Sequence, residues 1–218
     1  MSAVARALPY GVLMTSAPTA KRDARTSGLL LVAGMAALMW VVEVVDLFAG
    51  ELDANGIRPR DADGLIGIAL APFLHSGFGH VLGNTIPFLA LGATIALSGL
   101  ARIMAVGAIV ALVGGLGTWL VGPAGTVHVG ASGLVFGFAA YLIARGISSR
   151  RLTHLLVGLA VIALFGTTLL VGLVPTAGVS WQGHLFGAVG GIVASRALDA
   201  RRSTGAARPL RRSLAETR

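Results

Sequence analysis

The sequence predicts an all-α membrane protein, a bundle of six transmembrane helices whose fourth is short and begins at Ser132. Three observations carry that expectation. Of 218 residues, 55% are apolar and only 12% are charged, and the mean hydropathy is +0.83, whereas about a quarter of the residues in a soluble domain are charged. Apolar runs recur at about 28–48, 80–98, 103–121, 155–174 and 179–195, each near the roughly 20 residues that cross a bilayer. Basic residues fall in alternate loops, as in a chain that weaves through a membrane. Such a composition excludes disordered, collagen-like and nucleic-acid-binding readings. With no cysteine in the chain, disulfides, thiolate metal sites and a cysteine nucleophile are excluded as well.

The first run follows Lys21, Arg22 and Arg25 as in a signal peptide. It is too long for such a leader and has no clear cleavage site, so it reads as an uncleaved span. The outer loop after it holds Leu65 to Leu74, about 10 apolar residues, which suits an interfacial or re-entrant segment and not a crossing. A further run starts near Val129 and stops at Arg145, and its well-formed part from Ser132 covers 13 residues; this is the short fourth helix. Lys21, Arg22 and Arg25, then Arg102, then Arg145, Arg150 and Arg151, then Arg196, Arg201 and Arg202 alternate with loops almost free of basic residues. Positive charge stays on the cytoplasmic side, so both termini are expected there. Only Arg58 and Arg60 fall outside, beside Glu51, Asp53, Asp61 and Asp63. The net charge of +8 therefore reports topology and contact with anionic membrane lipid, and no nucleic-acid partner is expected. The expected division is a cytoplasmic N-terminal segment at 1–27, a membrane domain at 28–198 and a basic, disordered cytoplasmic tail at 199–218. One lysine beside sixteen arginines points to a high-GC bacterial source and hence to a bacterial cell membrane.

Polar and ionisable groups inside spans are expensive and mark functional sites by default. Here they are His80 and Asn84 in the second span, Ser132 at the start of the fourth and His184 in the sixth. Counting back from Arg145 to Ser132 gives about 20 Å of helix, and from Arg196 to His184 about 18 Å, so the two side chains share a depth. In a core about 30 Å thick both lie roughly 10 Å below the outer surface. A helix that starts at that depth leaves its first N–H groups unpaired, which is tolerable in buried protein or beside a water-filled cavity. Those aligned N–H groups suit a developing oxyanion. A serine and a histidine at one depth suit a nucleophile and its general base.

At these residues the sequence resembles a known family. Gly130-Ala131-Ser132-Gly133, Gly183-His184-Leu185-Phe186-Gly187 and His75-x4-His80-x3-Asn84 are similar, in order and spacing, to the three signatures of rhomboid intramembrane serine proteases. The resemblance covers about residues 28–198 and implies a six-helix rhomboid bundle. It implies Ser132 as nucleophile, His184 as base, and Asn84, His80 and the Ser132 N–H as the oxyanion hole. It also implies Phe136 as the aromatic ring stacked on His184, and Gly187 and Gly191 as small positions that let the sixth helix pack on the fourth. The partners implied are transmembrane protein substrates, cleaved near their outer end after local unwinding, with the first outer loop and fifth helix as the gate. No cofactor and no metal are implied. The chain departs from the family in three places: Arg58-Pro59-Arg60 stands where a Trp-Arg pair is frequent, no Glu lies between Gly92 and Gly99, and Gly183 precedes the histidine where Ala is common.

Each residue also has a plainer reading. Gly130, Gly133 and Gly137 around Ser132 form small-residue spacing used for helix packing, and His184 sits in a similar ladder of Gly183, Gly187 and Gly191. Asn84 suits interhelical hydrogen bonding, or a carbonyl freed by Pro87. His75 and His128 read as loop-side structural residues, His154 as a snorkelling cytoplasmic one, and Glu43 and Asp46 as solvated anchors at the outer end of the first helix. These readings leave the joint spacing unexplained. The other hydrolase classes fail directly: there is no G-x-S-x-G elbow, no H-E-x-x-H, and no pair of facing intramembrane carboxylates. No acid lies near His184 in sequence, so a dyad is expected and not a triad. The alternative function is a non-catalytic relative that binds transmembrane helices and controls their stability or trafficking. A channel or transporter would show repeats or several broken helices.

Overall fold

The computed structural model describes residues 16–205, so the expectations for 1–15 and for the end of the tail, 206–218, lie outside the described residues. Helix α1 (Ser16–Ala49) begins well before the apolar run at 28 and carries Lys21, Arg22 and Arg25 on its first turns. Val32, Ala36, Met39 and Glu43 are buried on it, at the spacing of one helical face. Leu30 and Phe48 are exposed at 66% and 84%, as expected of a face turned to lipid. Glu43, expected to be solvated, is buried, while Asp46 Oδ1 accepts the Leu52 N–H at 2.7 Å.

The outer loop is ordered by its own polar groups. Ile57 pairs with His128 through both backbone bonds, each 2.9 Å. Asp61 accepts the Asp63 N–H at 3.0 Å, opening a broken helical stretch in which α2 (Gly67–Leu70) lies between two 3-10 turns. This is the apolar segment read as too short to cross. In place of a Trp-Arg pair, Arg60 donates to the carbonyls of Leu120 and Gly122, and the Trp119 indole donates to the Asp61 carbonyl at 2.8 Å. The loop is thereby tied to the end of the following hairpin.

That hairpin is α3 (Phe78–Ala96) and α4 (Leu100–Val121). After a loop come α5 (Ser132–Ser148), α6 (Leu152–Gly172) and α7 (Trp181–Gly205). Helix α5 is longer than the 13 residues expected, because Arg145 does not stop it. The Arg145 guanidinium is buried, donating to Ser98 Oγ at 3.2 Å and lying 4.0 Å from the Asp199 carboxylate. A partnered arginine can stay inside a helix bundle where an unpaired one cannot. Helix α7 runs through residues 199–205, where the tail was expected to begin.

Among the described residues, four helical segments are long and apolar enough to cross a membrane: Thr19–Ala49, Phe78–Ala96, Leu100–Val121 and Leu152–Gly172. Helix α6 is the most peripheral, with only Gly158 and Val161 buried, and its uniformly apolar sequence matches that exposure. Helix α5 occupies the centre, packed on α7, α6, α3 and α4. Its approach to α7 depends on glycine. A Cβ on Gly187 would meet the Gly133 carbonyl, and one on Gly191 would meet the Gly137 carbonyl and lie 2.8 Å from the Tyr141 nitrogen. Gly133 in turn faces the Gly183 carbonyl. Gly191→Ala should therefore force the helices apart and cost about 1–3 kcal/mol, the usual range for overpacking. Gly34→Ala on α1, with no atom within 4 Å of the added carbon, is the control. Equal unfolding midpoints for the two variants in detergent would mean that the α5–α7 seam is not tightly packed.

Candidate active site

The N-terminus of α5 is held from several sides. Gly130 donates its N–H to the Ala71 carbonyl at 2.8 Å, and Ala131 donates to His75 Nε2 at 3.4 Å. Val135 N–H makes the first bond back into the helix, to Ala131. The N–H groups of Ser132, Gly133 and Leu134 come before it, as at any helix start. Gly130 was expected to be a packing glycine of the helix, but it lies in the loop before α5. Its φ is +106°, a left-handed conformation that favours glycine. A Cβ there would also come within 2.7 Å of His80 Nε2 and 3.4 Å of Asn84 Nδ2. Its smallness therefore lets two α3 side chains approach the backbone next to Ser132.

Ser132 Oγ lies 2.8 Å from His184 Nε2. His184 Nδ1 lies 2.6 Å from the Gly172 carbonyl oxygen, which can only accept. Nδ1 therefore carries the proton, and Nε2 has a free lone pair aimed at the Ser132 hydroxyl. Phe136, one turn along α5, stacks on the imidazole with centroids 4.1 Å apart and planes 5° from parallel. Among the described residues no carboxylate bonds to His184; the group that holds Nδ1 is the carbonyl of Gly172, the last residue of α6. Nothing in the sequence could have marked Gly172, since every residue carries a carbonyl.

On the facing side, the Ser76 N–H points to His80 Nδ1 at 3.4 Å, which makes Nδ1 an acceptor and leaves the Nε2–H as the donor turned toward Gly130. Asn84 is 5% exposed, and its Nδ2 has no hydrogen-bond partner among the described residues. It therefore does not satisfy the carbonyl freed by Pro87. Buried amide donors are rarely left unpaired. His80, Asn84, Ser132, Phe136 and His184 all line one cavity of about 1180 Å³, whose other walls include Val171 of α6, the loop residues 175–180 and the first two residues of α7, Trp181 and Gln182.

His75 is 1% exposed and sits edge-on to His80, with centroids 5.0 Å apart. Burial first, and then the charge of His80, hold its pKa down at about 4. An unfolded histidine titrates near ~6.5, so between the two values the unfolded chain binds a proton that the folded protein excludes. The stabilisation is complete above about pH 6.5 and is lost as pH falls toward 4, amounting to about 3 kcal/mol. Unfolding midpoints in detergent should fall more steeply with acid for wild type than for His75→Gln, which keeps an acceptor for Ala131 without a titrating ring. Parallel curves would remove His75 from this account.

The model for the Rhomboid domain matches residues 62–200. An uncharacterized protein of Mycobacterium tuberculosis (strain ATCC 25618 / H37Rv) is 44% identical over 192 residues, covering 84% of this chain and 80% of that protein. An uncharacterized protein of Mycobacterium leprae (strain TN) is 44% identical over 174 residues, 75% of this chain and 68% of its own. A Bacillus subtilis (strain 168) protein, YdcA, provisionally named a rhomboid protease, is 32% identical over 123 residues, 56% of this chain and 61% of its own. No solved structure matches the chain.

Proposed function

The chain belongs to the rhomboid family, and from that premise we propose that it is an intramembrane serine endopeptidase working through a Ser132–His184 dyad. The observation that carries the reading is the 2.8 Å contact from Ser132 Oγ to His184 Nε2, with Nδ1 fixed on Gly172. Ser132 Oγ attacks the scissile carbonyl carbon while its proton passes to His184 Nε2. The imidazolium that forms is stabilised by the Gly172 carbonyl and by the face of Phe136. The oxyanion accepts from the Ser132 N–H, from Asn84 Nδ2 and from His80 Nε2. His184 then gives its proton to the departing amine as the C–N bond breaks. Water, activated by the same base, hydrolyses the ester left on Ser132.

In this reading α5 and α7 also lie in the membrane, making six crossings, with both termini in the cytoplasm as the distribution of basic residues requires. The substrates are transmembrane segments of other membrane proteins. A helix keeps its carbonyls bonded, so the substrate must unwind locally before attack, which favours segments with Gly or Pro and a small residue at the cut. Proteoliposomes holding the protein and one of two model segments test this. The Gly/Pro-containing helix should be cut and the Leu-only helix spared. Equal rates would remove the unwinding step, and no cleavage of either would overturn the endopeptidase reading.

A further inference from the structure

We propose that His128 and Ser180 form a latch that positions the dyad by joining the loop ahead of Ser132 to the turn that starts α7, and that Gly183 is glycine to make room for it. The inference rests on the protease reading above and adds two positioning residues to it.

His128 is anchored before its ring does anything, because its N–H and C=O both pair with Ile57 at 2.9 Å. Its Nε2 lies 3.0 Å from Thr126 Oγ, whose own proton is committed to the Pro123 carbonyl at 2.7 Å. Thr126 is therefore the acceptor, and His128 carries its proton on Nε2. That leaves Nδ1 as a lone pair, 2.7 Å from Ser180 Oγ, so the serine hydroxyl donates to it. Burial pushes the His128 pKa below its ordinary value, which keeps Nδ1 an acceptor.

Ser180 immediately precedes α7, and its carbonyl accepts the His184 N–H at 3.1 Å. His128 precedes Ser132 by one helical turn's worth of chain. The contacts thus close a ring: Ser132 to His184 through the dyad bond, His184 to Ser180 through the first turn of α7, Ser180 to His128 through the latch, and His128 back to Ser132 along the backbone. Without the latch, the loop ahead of Ser132 keeps its ties to Ile57, Ala71 and His75, but this side-chain bond from it to Ser180 is lost. Displacement of a reacting group by about 1 Å can cost about 10²-fold in rate, so even a loose hinge at this point would be felt in the chemistry.

Gly183 supplies the independent observation. A Cβ there would lie 2.9 Å from Ser180 Oγ and 3.5 Å from Thr118 Oγ. An alanine at 183 is compatible with the helix but not with the hydroxyl where it now stands. The serine would have to turn away and release His128. The departure from the family noted at this position, Gly before the histidine, is thereby linked to the presence of Ser180 and His128.

The test measures kcat and KM on the cleavable model segment in proteoliposomes, with Ser132→Ala as the blank. Ser180→Ala and His128→Phe should each lower kcat by about tenfold, with KM within about twofold, since the latch aligns the dyad and does not contact substrate. His128→Asn, whose side-chain oxygen stands near the place of Nδ1, should recover most of that loss. Gly183→Ala should resemble Ser180→Ala, and adding it to Ser180→Ala should cost nothing more. Thermal midpoints of His128→Phe, Ser180→Ala and the double variant should be non-additive, a reading independent of activity. If Ser132→Ala abolishes cleavage while Ser180→Ala and His128→Phe retain full kcat, or if Gly183→Ala and Ser180→Ala add, the latch is wrong and the dyad stands. If wild type itself cuts nothing, the protease reading falls and the latch falls with it.

Discussion

Ser132→Ala and His184→Ala should each reduce peptide hydrolysis by about four to six orders of magnitude, and the double variant should be no slower than either alone. The non-additivity follows from the geometry. Ser132 Oγ is a weak nucleophile until His184 Nε2, 2.8 Å away, accepts its proton, and Nε2 has nothing to accept once the hydroxyl is gone. In the proposed dyad the two residues act as one unit, so removing either would remove the unit. The same variants should leave the fold almost intact. Ser132 is half-buried beside an open cavity, and His184 leaves behind only the Gly172 carbonyl and one face of Phe136. Rates from a quenched transmembrane substrate, set beside unfolding midpoints, separate loss of chemistry from loss of structure. A large fall in midpoint would return both residues to the helix-packing role that their glycine neighbours also fit.

Asn84→Ala should lower kcat by about 10²–10³-fold, the usual cost of one oxyanion donor, without lowering stability. The second half of that expectation is the sharper one. Asn84 Nδ2 is buried and has no partner among the described residues, so its removal breaks no hydrogen bond of the resting protein and relieves a desolvated donor. An asparagine that joined helices would behave in the opposite way, with its loss destabilising the fold. His80→Ala should also lower kcat, but with some loss of stability, because its ring accepts the Ser76 N–H and packs edge-on to His75. Kinetics and thermal unfolding of the two variants check this. A drop in midpoint with kcat unchanged would assign Asn84 to packing.

How much of this was legible in the sequence depended on the range of the interaction. The spacing that brings Ser132 and Phe136 onto one face of α5, and Gly187 and Gly191 onto one face of α7, is local helical periodicity and reads directly from the chain. The shared depth of Ser132 and His184 followed from counting back to basic residues. That count uses Arg145 as a helix end, whereas Arg145 lies inside α5 and buried, where Ser98 of the α3–α4 turn accepts from its guanidinium and Asp199 of α7 lies beside it. A charge paired from a distance looks, in sequence, the same as a charge at the membrane edge. Glu43 misleads differently: on a helix end it reads as solvated, but it is buried, with Oε2 lacking a hydrogen-bond partner among the described residues. In sequence Gly130 reads as a helix glycine because its neighbours Gly133 and Gly137 are; its φ and the approach of His80 and Asn84 separate it from them. The Gly172 carbonyl and the His128–Ser180 bond connect residues far apart in the chain through groups that carry no distinctive signature. Helix α7 is absent from the segments apolar enough to cross a membrane, and its glycines, Gln182 and His184 are part of the reason. Residues at the candidate site are thus among those that dilute its hydropathy.

The central claim is that Ser132 is a nucleophile activated by His184. Its most direct measurement is reaction of the membrane-reconstituted protein with a fluorophosphonate, followed by mass spectrometry of the labelled peptide, in wild type, Ser132→Ala and His184→Ala. This requires no knowledge of the natural substrate. The account predicts one adduct, on Ser132 of the wild type, and none on either variant. An unlabelled wild type that is folded, beside a rhomboid protease that labels in parallel, would contradict it. The chain would then be better described as a family member that binds transmembrane helices without cutting them.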